Sequence, residues 1–257
     1  MPTPLPTPLP ATLPATLPPP LLPRTPRRRW AMTVAGALLL PVLAACGSGS
    51  SSTVAHDGSA SAPGSAQTGV TCSYPDAPQG KTGDAAKPPA TPDVSGRVKV
   101  TMTTTIGSLK ATLDAAKAPC TVNSFVSLAK QGYFDKSPCH RLTTAPSGIY
   151  VLQCGDPTGT GTGGPGYTIP DELSGNETYG PGTLAMANTG HPDTGGSQFF
   201  LVYRQTPLPA QYTVFGQLDP ASLKAVQKVA KQGSDNAYGS GDGHPRVTVT
   251  IRSVSIG

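Results

Sequence analysis

Between residues 98 and 113 the chain alternates. Val98, Val100 and Met102 stand between polar neighbours, and Leu109, Ala111 and Leu113 repeat the pattern. A period of two puts one face of a strand on a core and leaves the other to solvent, so two strands are expected, with a hairpin turn at Ile106-Gly107-Ser108. The period then lengthens. Val122, Phe125, Val126 and Ala129 recur at helical spacing, which predicts a helix opened by Thr121 and closed by Gly132. A second helix is expected after Asp219 as N-cap and Pro220 at the first helical position. There the carboxylate can accept orphan N–H groups and the proline ring presets φ. It carries Leu223, Val226 and Ala230 and stops at Gly233. Between the helices lie short apolar runs broken by Gly and Pro, and Val247 to Ile256 alternates again as a strand. The sum is a mainly β chain, a barrel or sandwich with helical plugs rather than a parallel α/β sheet.

The first third has another character. Of 30 prolines in 257 residues, 11 fall before Ala31. Arg24, Arg27, Arg28 and Arg29 precede an apolar stretch, Ala31 to Ala45, too short for the ~20 residues that span a bilayer. A basic start, an apolar middle and small residues at the end fit a secretory signal. The stretch ends Leu43-Ala44-Ala45-Cys46-Gly47, which resembles the lipobox of bacterial lipoproteins, where the cysteine becomes the lipidated first residue. Residues 1–45 are therefore expected to be a signal region, and 46–93, rich in Ser, Gly and Pro, a tether. Residues 94–257 form one domain, held by lipid on Cys46 to the outer face of the cell membrane; plain secretion is the alternative. The net charge of +5 owes four of its 19 basic residues to this front end. The remaining 15 face 14 acids, so the charge is no footprint of a nucleic acid.

With Cys46 assigned to lipid, Cys72, Cys120, Cys139 and Cys154 remain, an even number in an exported chain. Three connectivities are open. Cys139 and Cys154 flank two apolar runs, Leu142 and Ile149 to Leu152, that can pair as antiparallel strands and bring the cysteines together. Cys72–Cys120 follows by elimination. Cys139-His140 raises zinc as a rival, but no Cys-x-x-Cys exists and the spacing fits no finger, so no metal is expected.

Two motifs invite enzymatic readings and fail on context. Gly159-x-Gly161-x-x-Gly164 has the letters of a nucleotide fingerprint, yet Pro165, Gly166 and Pro170 forbid the helix whose N-terminus would hold a pyrophosphate. Ser127-Leu128-Ala129-Lys130, Ser234-Asp235-Asn236 and Lys81-Thr82-Gly83 spell the three serine β-lactamase motifs. Their order is wrong, because the Lys-Thr-Gly element comes first, in the tether. The four histidines are scattered, and none stands at triad or metal-ligand spacing.

The remaining segments are Cys139-His140-Arg141-Leu142, then Leu152-Gln153-Cys154-Gly155-Asp156, then Gly182-Thr183-Leu184-Ala185-Met186-Ala187-Asn188. Gly196-Ser197-Gln198-Phe199-Phe200-Leu201-Val202 and Tyr212-Thr213-Val214-Phe215-Gly216 follow. From about Val98 to Ile256 the chain resembles the cyclophilin family of peptidyl-prolyl cis-trans isomerases, most nearly its exported actinobacterial type. The resemblance implies a closed eight-stranded antiparallel barrel capped by two helices. It implies Arg141 as the catalytic arginine, Gln153 as the glutamine bonding the substrate backbone, and Ala187 and Asn188 as the segment along which the peptide lies. Gln198 is then the second polar contact, Phe200 the floor of the proline pocket and Leu208 a wall. About four extra residues separate Arg141 from Gln153, so the family's Phe-Met pocket pair falls on Tyr150 and Val151. Pro207 stands at the pocket tryptophan and Tyr212 at the pocket histidine. Implied partners are proline-containing unfolded or flexible polypeptides and a cyclosporin-type ligand; no cofactor, no nucleic acid and a monomer are expected. The alternative is a non-catalytic proline-peptide-binding or chaperone module on the same fold.

These residue types suit amide rotation. The barrier, ~18–20 kcal/mol, arises because the nitrogen lone pair is conjugated with the carbonyl. Lowering it needs no nucleophile or base, only a fixed positive donor that favours a pyramidal nitrogen over a planar one. A guanidinium is always protonated and carries rigid donors.

Overall fold

A computed structural model describes residues 69–77 and 80–257; the expected signal region, Cys46 and the first part of the tether lie outside the described residues. In chain order the elements are β1 (Arg97–Thr104), β2 (Gly107–Asp114), α1 (Pro119–Lys130), β3 (Ser137–Pro138) and β4 (Arg141–Thr143). There follow β5 (Val151–Cys154), β6 (Thr183–Met186), β7 (Phe199–Val202), β8 (Val214–Leu218), α2 (Pro220–Ala230), β9 (Asp242–Gly243) and β10 (Thr250–Ile256).

The alternation at the start does what its period requires. Val98, Val100 and Met102 pair with Leu113, Ala111 and Leu109 across an antiparallel ladder, and all six are buried. The turn falls one residue earlier than expected, at Thr105-Ile106. Thr104 Oγ1 staples it, donating to the Gly107 carbonyl at 2.6 Å and accepting from the Ile106 N–H at 3.1 Å. Helix α1 also starts earlier than expected, with Pro119 in its first turn and no cap from its own side chains. A distant carboxylate substitutes: Glu172 accepts from the N–H groups of Cys120 and Thr121 at 2.8 and 2.9 Å. Helix α2 begins as expected, the Asp219 carboxylate accepting from the Ser222 N–H at 2.7 Å.

All pairings between these strands are antiparallel, in one ten-stranded sheet of order β3-β10-β1-β2-β8-β6-β7-β5-β4-β9. The expectation of a closed eight-stranded barrel is therefore corrected to a curled half-barrel with two helices. β3 lies at one margin and β4 beside the other, yet only Cys139 and His140 separate them in sequence. The sheet must curl until its margins meet at that point. No ladder closes the seam among the described residues. Pro138 has no N–H to give, the Cys139 N–H goes to the Val249 carbonyl at 2.8 Å, and β9 has only two residues.

The inner face of the sheet and α1 share one apolar core. Phe125 of α1 stacks on Phe134 at 5.0 Å and meets Phe199 of β7 edge-on at 5.5 Å. Both expected disulfides are present, Cys72–Cys120 and Cys139–Cys154. The first fastens the segment before β1 to α1. That segment, expected as tether up to residue 93, lies against the domain. Ala77 and Thr82 donate to the carbonyls of Gly166 and Gly164 at 2.9 and 2.8 Å, and Asn123 donates to Tyr74 Oη at 3.0 Å. Composition had hidden this, because small residues and prolines also suit a strap that hugs a surface.

Candidate active site

Directly paired residues of a sheet share a face. Arg141 pairs with Gln153, Gln153 with Phe200, Phe200 with Ala185, and Ala185 with Val214. These five form a single row across β4, β5, β7, β6 and β8, on the outer face of the sheet. Their chain neighbours Leu142, Leu152, Phe199, Leu201 and Leu184 point the other way into the main core. Outside, Val151, Tyr179, Ala185, Phe200 and Val202 make a second, smaller apolar cluster, with Ala187, Leu208, Tyr212 and Val214 packed against it.

Six of the nine residues expected to bind substrate are thus brought into one cluster or row, Val151, Gln153, Ala187, Leu208, Tyr212 and Phe200, and a seventh, Gln198, is tied to Gln153 by a hydrogen bond. The eighth, Asn188, follows Ala187 along the same rim and donates to the Gln211 carbonyl at 2.9 Å. The ninth, Tyr150, is not. Alternation along β5 sends it away from Val151 and Gln153, and its ring packs edge-on to Tyr203 at 5.9 Å with the Arg204 guanidinium 4.8 Å above it. The pocket pair implied by the resemblance reduces to Val151.

The polar half of the site is a chain of donors. Arg141 donates through Nε and Nη2 to both oxygens of Asp242, at 2.8 and 2.7 Å. Its Nη1 reaches Gln153 Oε1 at 3.4 Å. Gln153 Nε2 donates to Gln198 Oε1 at 2.8 Å, and Gln198 Nε2 donates to the carbonyls of Gly161 and Gly163, each at 2.9 Å. The hydrogen bonds to Asp242 push the Arg141 pKa still higher, outweighing burial, so the guanidinium is charged at every pH at which the chain folds.

Those glycine carbonyls are fixed by an internal acid. Burial alone would raise the pKa of Asp156, which is fully buried. The Thr158 hydroxyl and the N–H groups of Gly163, Thr158 and Gly161 instead hold it below the usual range. Three N–H groups of the Gly-rich loop therefore point at the chain's own carboxylate rather than outward to a phosphate. A Cβ at Gly163 would collide with that carboxylate, which is why glycine stands there. Beyond Gln153 and Gln198 opens a cavity of about 510 Å³ lined by Gly161, Gly163, Pro165, Ala187, Asn188 and Ser197 among others, with no charged side chain in its wall.

Two contributors escaped the sequence reading. Asp242 lies 101 residues from Arg141, between two glycines, where an acid reads as a turn residue. Tyr179 sits in an irregular segment, yet it is buried and fixes Tyr212: its hydroxyl donates to the Tyr212 carbonyl at 3.1 Å and accepts from the Tyr212 N–H at 3.0 Å. The Tyr212 ring then stands edge-on to Phe200 at 5.4 Å. Of the β-lactamase letters, Ser127 lies on α1, Lys81 to Gly83 in the strap and Ser234 to Asn236 in the loop before β9. Among the described residues no group of three or more His, Cys, Asp or Glu side chains is placed to hold a metal ion.

A guanidinium thus stands beside a small apolar cluster on the outer face of the sheet, next to two linked amides. Residues 99–256 match the family described as cyclophilin type peptidyl-prolyl cis-trans isomerase, and the chain belongs to that family. It is 48% identical over 205 residues to the "Probable peptidyl-prolyl cis-trans isomerase B" of Mycobacterium tuberculosis, covering 74% of this chain and 65% of that protein. It is 44% identical over 207 residues to the protein of the same name in Mycobacterium leprae, covering 75% of this chain and 68% of the relative. The match thus spans slightly less than two thirds of the Mycobacterium tuberculosis protein. Among solved structures, a cyclophilin type peptidyl-prolyl cis-trans isomerase of Cryptosporidium parvum superposes with a TM-score of 0.54 at 29% identity, over 63% of this chain and 98% of that one. A second structure of that protein, in the presence of the dipeptide Ala-Pro, superposes with a TM-score of 0.53 at 29% identity, over 62% of this chain and 98% of that one.

Proposed function

We propose that the chain catalyses cis–trans rotation about X-Pro bonds in exported polypeptides, as a lipoprotein anchored through Cys46 to the outer face of the cell membrane. The observation that carries the catalytic part is the cross-strand row, which sets Arg141 and Phe200 on one face of the sheet with only Gln153 between them. The names of the relatives, and the Ala-Pro dipeptide used with the Cryptosporidium parvum protein, support the same reading.

The prolyl ring packs on Phe200, between Val151, Leu208 and the Tyr212 ring. The residues before the proline run along Ala187 and Asn188, and Gln153 and Gln198 fix the carbonyl side. Arg141 donates to the prolyl nitrogen as conjugation breaks, a bond stronger in the twisted state than in either planar one. The pocket excludes water, which strengthens that bond. A turnover near 10³ per second requires lowering the barrier by roughly 7 kcal/mol. The reaction moves no proton, so the site needs no acid–base pair.

A protease-coupled assay of an Ala-Pro peptide with the full chain tests this. Wild type should accelerate isomerisation and Arg141→Ala should lower kcat/KM by about 10²–10³-fold. Equal rates for the two, at the level of buffer, would overturn it. For the anchor, mass spectrometry of native protein should find an acyl chain on Cys46; an unmodified or absent Cys46 would refute that part.

A further inference from the structure

Arg141 is tied to a carboxylate whose whole surrounding loop is organised to present it. Among the named strands β9 pairs with β4, Asp242 opposite Thr143 and Gly243 opposite Leu142, and Asp242 also bridges to Gly239 in its own loop. The loop leading into β9 is folded on the Ser234-Asp235-Asn236 triplet. Asp235 Oδ1 accepts from the N–H groups of Ala237 and His244 at 3.0 and 2.8 Å, and its Oδ2 meets His244 Nδ1 at 2.9 Å. Asn236, at φ 62°, accepts from the Gly241 N–H at 2.9 Å. The Gly241 carbonyl in turn accepts from the Thr144 N–H at 2.7 Å, just past β4. Gly241 has φ 75°, and a Cβ at Gly243 would strike Asp235 and the backbone of Asn236 and Ala237. A turn this constrained on both sides of one acid fixes where that acid stands.

Resting on the isomerase reading above, we propose that Asp242 is a positioning residue for the reaction: it sets the plane of the Arg141 guanidinium and the edge it presents to the prolyl nitrogen. The geometry defines the edge. Nε and one hydrogen of Nη2 are spent on Asp242, on the side of the fork away from the row. What remains is the end of the fork: both hydrogens of Nη1, one of them near Gln153, and the second hydrogen of Nη2. A free arginine at the rim of a groove samples many rotamers, and few of them aim that end inward. The carboxylate has an opposing effect, because its negative charge offsets part of the pull on the substrate nitrogen. The two effects predict opposite signs. If orientation dominates, losing Asp242 slows the reaction; if charge offset dominates, losing it speeds the reaction. Orientation prevails because a donor fixed before the reaction costs no reorganisation in it, and a misplacement near 1 Å can cost about 10²-fold.

The experiment is a kinetic square on the full chain with the Ala-Pro peptide: wild type, Asp242→Ala, Arg141→Ala and the double variant, with Asp242→Asn as a fifth protein. Circular dichroism checks that each is folded. Asp242→Ala should lower kcat by about 10- to 100-fold with KM little changed. Asp242→Asn, whose amide oxygen still accepts from Nε, should keep most of the rate. In the Arg141→Ala background, Asp242→Ala should change nothing further. A wild-type or faster kcat in Asp242→Ala overturns the proposal. So does an Asn variant as slow as the Ala variant, or an undiminished loss in the Arg141→Ala background, which would mean that Asp242 acts through folding of the loop. A wild-type chain at the buffer rate would sink the isomerase reading and this inference together. An active wild type with an unaffected Asp242→Ala sinks the inference alone.

Discussion

Phe199 and Phe200 are neighbours on β7 and lead different lives. Phe199 is 0% exposed among Phe125, Phe134 and Phe215, inside the curl of the sheet. Phe200 is 4% exposed on the other face, where its ring packs against Tyr179 and Tyr212 in the smaller apolar cluster. Both are buried, by different means. The inner residue is covered by a core that has no other task. The outer one is covered by Tyr179, Tyr212 and their neighbours in the smaller cluster. Burial alone therefore does not distinguish structure from function in this fold; the face of the strand does.

The two faces can be pulled apart by substitution. Phe199→Ala should cost about 3–5 kcal/mol in urea unfolding, by lost burial and a sealed cavity. Phe200→Ala should cost less stability, because its cavity opens to water, but should raise KM for the Ala-Pro peptide far more than any surface change does. Equal stability losses with unchanged KM would erase the distinction. The disulfides extend the comparison. By loop entropy, removing Cys72–Cys120, with a separation of 48, should cost ~4 kcal/mol, and removing Cys139–Cys154, with a separation of 15, ~3 kcal/mol. The order for activity should be reversed, because the shorter bridge joins the strand ends that carry Arg141 and Gln153. Serine pairs at the two sites, measured for both properties, decide it.

The smallest effect comes from pH. His140 is buried beside Arg141, and burial lowers its pKa below the ordinary 6.5. Folding thus favours the neutral ring. Its contribution is complete above pH 6.5 and is lost as pH falls toward the folded-state value. Asp156, also depressed, adds a second loss only below the ordinary 3.8. Arg141 keeps its proton throughout. Between about pH 8 and about pH 6, kcat should therefore stay flat while the unfolding midpoint begins to drop, and His140→Gln should remove that drop. A rate that fell in step with stability would show that the outer face is not independent of the inner one.

Much of this was legible in the residues. Period-two runs gave β1 and β2, Asp219-Pro220 gave the start of α2, and the flanking of two apolar runs by Cys139 and Cys154 gave a disulfide and the β4–β5 pairing together. Arg141, Gln153, Gln198 and Phe200 each sit in a dense local motif, and the structure brings them close together. What stayed hidden had no local signal. Asp242 and Glu172 act across the fold, on a guanidinium and a helix terminus far away in sequence. Tyr179 is a lone aromatic in an irregular stretch. Tyr150 was misplaced by a single step of strand parity, which an inserted turn at Ala145–Ser147 conceals. The strap before β1 has the composition of a tether and the hydrogen bonds of a domain.

Only two residues, Cys139 and His140, carry the chain from one margin of the sheet to the strand beside the other. A roll fastened by a ladder can widen one hydrogen bond at a time. This one is tied there by backbone, and the three peptide links from Pro138 to Arg141 reach no further than about 11 Å. At that one joint the two strands cannot part without stretching the chain itself, while every other joint of the sheet is held by a hydrogen-bonded ladder.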